Sequence, residues 1–297
     1  MKKIIKTIII LAILLTIVSC SNYPSNLTSE TNTMEAQKIQ MPASITQYDI
    51  SGAELLKETY IYDEKGQLTE ENSVSEDYST KILYIYNENG HITEEKQINS
   101  FDVIQEIYIF KYEYDIKGNQ ISKIRLSANN ETLSKTSYEY DNKNRLITVS
   151  DEAMNQINSY MYESDTNYSV KYEYSYGDNT IFNIIDYELD KNGNIIRQLS
   201  YAQNSKDIIE QEISNEYDEY GKIRSSKTYM FGELIDLVEY EYNKDLLIKK
   251  SLSDANGIYM IEEFEYNEFN NPTKIIRSSK SGVILNYTVC EYVDNKS

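Results

Sequence analysis

Short runs along the chain alternate between aromatic or aliphatic residues and charged ones. Examples are ILYIYN from Ile82, IFKYEYD from Ile109, LVEYEYN from Leu237 and IEEFEYN from Ile261. Period-two alternation predicts half-buried strands, with Tyr, Phe and Ile on one sheet face and Glu and Lys mostly on the other. These runs end on an aromatic residue, then Asp or Asn, two free positions, and in most copies Gly or Asn. Copies include YDEKG (Tyr62–Gly66), YNENG (Tyr86–Gly90), YDIKG (Tyr114–Gly118), LDKNG (Leu189–Gly193) and YDEYG (Tyr217–Gly221). An Asp or Asn at the first corner can accept bonds from backbone groups two residues on, and a Gly at the fourth place tolerates positive φ. The motif is therefore a hairpin turn, and Asn144 in YDNKN is the next most tolerant residue at that place.

The anchors Tyr62, Tyr86, Tyr114, Tyr140, Tyr162, Leu189, Tyr217, Tyr242, Tyr266 and Tyr292 recur at intervals of 22 to 28 residues. A second set of turn signals lies between them, such as SANN at Ser127, AQNS at Ala202 and DANG at Asp254. Each anchor should face the residue six places on: Tyr62 with Leu68, Tyr86 with Ile92, Tyr140 with Leu146, Leu189 with Ile195, Tyr217 with Ile223 and Tyr242 with Ile248. Such aromatic–aliphatic pairs fix register. Gln120 opposite Tyr114, with Ile121 following, predicts a one-residue slip or bulge, and Pro272 opposite Tyr266 a disturbed hairpin. The predicted fold class is all-β. It is a long antiparallel β-meander of about ten two-stranded hairpin repeats in a twisted, curled single sheet, an open coil or partial shell roughly 90–100 Å long.

The N-terminus reads differently. Lys2, Lys3 and Lys6 precede an apolar run from Ile8 to Val18, the layout of a secretory signal and short for a membrane span. The run ends Ile17-Val18-Ser19-Cys20, which resembles the lipobox of bacterial lipoproteins. That resemblance implies lipid attachment at Cys20 after cleavage of residues 1–19. Residues 20–44 read as the lipidated Cys and a flexible polar tether, and 45–297 as one repeat domain. The expected location is the bacterial cell envelope, lipid-anchored and extracytoplasmic, at the cell surface or facing the periplasm.

Charge narrows the partners. The chain carries −19, and loss of the three signal lysines makes this −22. So acidic a protein is not expected to bind nucleic acid. With Cys20 lipidated, Cys290 is the only other cysteine, so no internal disulfide is expected; in YTVCEY it reads as a small core hydrophobe.

The unit Y-x-Y-D-x-x-G-x-L, as it stands at Tyr60–Leu68, resembles the YD repeat of the Rhs/YD-repeat family, over most of residues 46–297. In that family the repeats form long β-hairpin sheets. In large members these sheets wrap around a C-terminal toxin, and YD repeats are associated with carbohydrate binding. This chain is short and ends inside a repeat (CEYVDNKS), so a shell-and-cargo role is not expected of it.

Candidate chemistry is sparse. His91 is the only His and sits where other repeats carry Gln67, Arg145, Asn194 or Lys222, as a solvated hairpin residue. One carboxylate per turn does not supply the six to eight oxygens calcium takes. No catalytic motif, metal cluster or cofactor signature is present, and an enzyme is not expected. The abundance of Tyr, 29 against six Phe and no Trp, suits stacking on sugars and adhesive contacts. The densest group is Tyr168, Tyr172, Tyr174 and Tyr176, and Tyr108 and Tyr112 precede another anchor; these six are the candidate ligand contacts. The expected function is a membrane-anchored binding module for a glycan or protein partner through a Tyr-rich sheet face. The alternative is an acidic spacer or surface coat without a ligand.

Overall fold

The computed structural model describes residues 40–101, 104–177 and 179–294. The signal sequence, Cys20 and most of the tether lie outside them. Twenty strands follow one another as an antiparallel meander. They are β1 (Gln40–Asp49), β2 (Glu54–Tyr62), β3 (Leu68–Ser75), β4 (Tyr78–Tyr86), β5 (Ile92–Phe101), β6 (Ile104–Tyr114), β7 (Gln120–Ser127), β8 (Thr132–Tyr140), β9 (Leu146–Asp151) and β10 (Gln156–Tyr162). The second half continues as β11 (Asn167–Tyr176), β12 (Asn179–Leu189), β13 (Ile195–Tyr201), β14 (Ile209–Tyr217), β15 (Ile223–Met230), β16 (Glu233–Asn243), β17 (Leu246–Asp254), β18 (Gly257–Tyr266), β19 (Pro272–Ser278) and β20 (Ile284–Asp294). Gln40 to Ser44, at the end of the expected tether, belong to β1.

The open coil or partial shell expected of this meander is corrected by its seam. β1 pairs with β20 from Gln40–Asp294 to Asp49–Asn286, so the sheet closes into a barrel. Closure satisfies the backbone groups that two free edges would leave unpaired. Following paired residues once around the wall returns to β1 about 20 positions along, a stagger matching a strand tilt of roughly 35–45°. A circular wall of twenty strands has a diameter on the order of 30–40 Å, too wide for one layer of side chains to fill.

The hairpins supply the bend. Ile61 pairs with Glu70 and Tyr62 with Leu68, so Thr69 is an extra residue on its strand. The same bulge recurs where Tyr86 meets Ile92, Tyr140 meets Leu146, Leu189 meets Ile195 and Tyr217 meets Ile223. Bulges at one place in successive hairpins add twist and curvature in one sense. The expected exceptions are not exceptional. Tyr114–Gln120 has the bulge but no slip, and it and Tyr266–Pro272 keep the common bulged register. The one that slips is Tyr242, which faces Leu247 and not Ile248. Leu246 stands where other repeats place Gly or Asn, and Lys244 takes the positive φ, 54°, in a shorter turn.

Register divides the wall into two faces. Tyr60, Tyr84, Tyr112, Glu58, Glu262, Arg277, Phe264, Ile275 and Cys290 share one; Ile61, Ile85, Lys111, Glu113 and Glu263 share the other. The first is the lumenal face, where concavity crowds side chains: Glu58 is 4% exposed and Ile275 1%, against 50% for Ile61 and 55% for Ile85. Ile45, Phe264, Ile275 and Cys290 form its apolar core beside the seam, with Tyr60, Leu247, Tyr266 and Tyr292 packed against it. Tyr and Phe in the quoted strands take the lumenal face as expected, but Ile is divided between both. The outer face mixes exposed apolar residues with exposed strand charges such as Lys111, Glu113, Glu139, Glu239 and Glu263.

Candidate functional site: the lumenal tyrosine wall

The anchor tyrosines are spent on structure. Tyr86 donates its hydroxyl to the Leu68 carbonyl at 2.7 Å, Tyr114 to Ile92 at 2.8 Å, Tyr140 to Gln120 at 2.9 Å and Tyr162 to Leu146 at 2.9 Å. Tyr217, Tyr266 and Tyr292 donate likewise to Ile195, Leu247 and Pro272. Each acceptor is the residue facing the previous repeat's anchor, so every bond ties one hairpin to the next. The turns interlock as well. Asn119 and Asn144 exchange amide hydrogen bonds at 2.7 and 3.0 Å, and Gln40 accepts from Asn267 and Asn271 across the seam.

The tyrosines between anchors meet charge. Tyr60 donates to Glu58 at 3.1 Å, Tyr84 to Glu71 at 3.2 Å and Tyr112 to Glu95 at 2.8 Å. Burial, the largest influence, pushes the carboxyls of Glu58 and Glu71 up, and Glu95 adds to the rise of Glu71. Burial and the adjacent carboxylates together hold the three phenols far above their ordinary range. Beyond this acidic row stands a basic stretch on β7. The Lys123 ammonium lies 4.5 Å from the Phe110 ring centre and 5.4 Å from that of Tyr112, and the Arg125 guanidinium lies 3.8 Å from that of Tyr108. Near the seam, buried Arg277 donates to Glu262 at 2.7 Å, and Lys250 approaches the same carboxylate at 3.5 Å.

All six candidate tyrosines lie on the lumenal face, in two groups five strands apart. Tyr108 and Tyr112 are on β6, among the charges just described. Tyr168 stacks on Tyr187 at 4.7 Å and 12° and meets Tyr162 at 5.7 Å. Tyr172 is the next lumenal residue but one from Tyr168, and the Tyr187 hydroxyl is pushed up to about 12, first by burial and then by Tyr172 and Tyr168. Tyr174 is half-buried above this cluster, and Tyr176, 68% exposed, stands at the end of β11. Tyr168 is thus a packing residue, whereas Tyr174 and Tyr176 present more open faces.

His91 was missed as a packing element. It is half-buried, its ring 4.6 Å from that of Tyr114, and its edge lies over Gly118, where a Cβ would come within 3.0 Å of His91 Cε1. The signal in the sequence is the coincidence of a ring one place after one turn and Gly in the next. A cleft of about 490 Å³ opens beside them, lined by residues including Asn87, His91, Tyr112, Tyr114 and Lys117. Among the described residues no group of three or more His, Cys, Asp or Glu could hold a metal ion. Cys290 is a buried thiol in the apolar core.

No protein-family model matches the chain, and no curated protein matches it. Among solved structures it is similar to a porin-like protein from Bacteroides uniformis, at 9% identity over 85% of this chain and 97% of that one, with a TM-score of 0.38. A porin-like protein from Bacteroides vulgatus shares 11% identity over 85% of this chain and 98% of that one, with a TM-score of 0.25. The Tc holotoxin pore of Photorhabdus luminescens shares 11% identity over 75% of this chain and 18% of that one, with a TM-score of 0.20.

Proposed function

We propose that this chain is a non-catalytic, extracytoplasmic binding module of the bacterial cell envelope, held to a membrane through lipid on Cys20. Its ligand is a polar chain, a glycan foremost, that lies against the lumenal wall. One observation carries the reading. Aromatic rings, phenols, carboxylates and cations share the lumenal face of a closed wall of twenty strands, whose circular diameter of roughly 30–40 Å exceeds what one layer of side chains fills. Stacking faces alternating with hydrogen-bonding groups are what a sugar chain requires. The resemblance to YD repeats agrees with this assignment.

The outer face supports attachment by lipid and not by an embedded wall. A membrane barrel turns an apolar band about 25 Å tall toward lipid, and Lys or Arg at its midplane costs about 2–4 kcal/mol. Exposed strand charges such as Lys111, Glu239 and Glu263 are inconsistent with such a band. The second reading, an acidic spacer, draws on the anchor tyrosines, whose hydroxyls are consumed in tying hairpins together.

The test is an oligosaccharide array probed with the exported chain carrying Cys20→Ser, beside a variant with Tyr172, Tyr174 and Tyr176 changed to Ala. The expected result is saturable binding that weakens about tenfold or more in a variant whose β-sheet circular dichroism is unchanged. Silence from both proteins would favour the spacer.

A further inference from the structure

The two rims of the barrel differ. Gln40 and Asp294 lie at the rim built from the anchor turns, so the expected tether leaves from that side. The opposite rim is made of the other turns, and hydrophobic residues occupy its tips. Ile50 is 70% exposed, Met154 66%, Ile208 55%, Phe231 66% and Val283 60%, and Tyr176 stands among them. They fall on consecutive turns of this rim, except that Tyr259 represents the β17–β18 connection just inside its tip. Each connection from β9–β10 round to β1–β2 therefore carries one exposed apolar residue, with successive tips two strands, or about 10 Å, apart. Isolated exposed apolar residues are ordinary, but a row of them on successive turns, set among polar groups, marks an interaction surface.

Phe231 gives the arc a second, independent mark. Among the described residues, seven that are not Gly hold positive φ: five are Asn, one is Lys244 and one is Phe231, at 48°. Phe231 and Gly232 form a two-residue turn with both φ positive, where Asn-Gly is the unstrained choice. A bulky ring held there against backbone preference and pointed into solvent contributes nothing to the fold that Asn would not. Strain of this kind persists where something other than stability retains it.

The charge of the rim selects the occupant. Asp49, Glu54, Glu152, Asp207, Glu233 and Asp254 flank the apolar tips, against Lys206 and Lys280 on the same turns. A second copy docked rim to rim would press these acids together, and anionic lipid would be repelled. We propose that this distal rim is a docking surface for a protein segment that is both apolar and cationic, an amphipathic basic helix or its equivalent. The surface shares Tyr176 with the upper edge of the lumenal wall but does not depend on a ligand there.

The test titrates a synthetic amphipathic helix of Lys and Leu into the full chain carrying Cys20→Ser, exported and purified without detergent. A Glu/Leu helix of the same pattern serves as the control, and binding is followed by fluorescence anisotropy. The expected result is saturable binding of the Lys/Leu helix alone, weakened about tenfold or more by Ile50→Ser with Phe231→Ser and Val283→Ser. Phe231→Asn should separate fold from function, raising the thermal midpoint while lowering affinity. No saturable binding, equal binding of both helices, or equal affinity of the triple variant would overturn the proposal. So would sedimentation showing a dimer that the triple variant dissolves, which would assign the rim to a second copy of the chain.

Discussion

At the scale of single residues, the same backbone demand is met in different surroundings. Gly118 and Gly193 hold nearly equal φ, 87° and 86°, at the same place in their turns. A Cβ on Gly193 would meet open space, while one on Gly118 would meet the His91 ring. Gly118→Ala should therefore destabilise the barrel more than Gly193→Ala, and His91→Ala should abolish the excess. Urea unfolding of the wild type, the three single variants and the double variant His91→Ala with Gly118→Ala checks this; equal losses at the two glycines would show that the ring yields freely. The turn glycines were legible because type and spacing announce them. The ring over Gly118 was not, because it depends on contact between turns about 25 residues apart.

At the scale of elements, the alternation and turn residues located the strands, and the anchor rule placed most hairpins in register. Where it failed, the backbone had priority over the side chains. The Asp115 and Gly118 turn holds Tyr114 opposite Gln120 although Gln is not the aliphatic partner the anchor rule expects, and Pro272 is accommodated with its carbonyl accepting from Tyr292. At Tyr242 the missing Gly shortened the turn and moved the pairing. Strands also bring together the row Glu58, Glu71 and Glu95, which spacing in sequence did not suggest. The folded Glu71 carboxyl is raised above its usual value of 4.5, chiefly by burial. The folded state thus holds the Glu71 proton more tightly than the unfolded one. Its contribution is therefore full below the usual value and is lost as pH rises through the raised one. Glu71→Gln keeps an acceptor for Tyr84 and removes the titration. The stability gained by this substitution should be small near pH 4 and larger near pH 8, measured as urea midpoints. A gain independent of pH would contradict the burial of that carboxyl.

At the scale of the whole molecule, closure changes what the tyrosines can do. In an open sheet they would form one side of a wall, either sealed or bare. In a closed barrel of this width they line a bore, and the polar anchors of the ladder become cross-ties around it. Closure was not legible because no local pattern encodes it. It arises from the sum of similar bulges around the wall and from β1, whose first residues, Gln40 to Ser44, look like tether. Both proposed surfaces follow from it, since an open sheet has neither a lumen nor a closed rim. The direct test is therefore the seam. Thr46 and Val289 are paired across β1 and β20. With Cys20 and Cys290 changed to Ser, cysteines at these two positions should form an intramolecular disulfide under mild oxidation, read by mass spectrometry of the monomer. An absent or purely intermolecular disulfide would mean that the two ends stand apart, as in an open sheet, and would contradict the barrel.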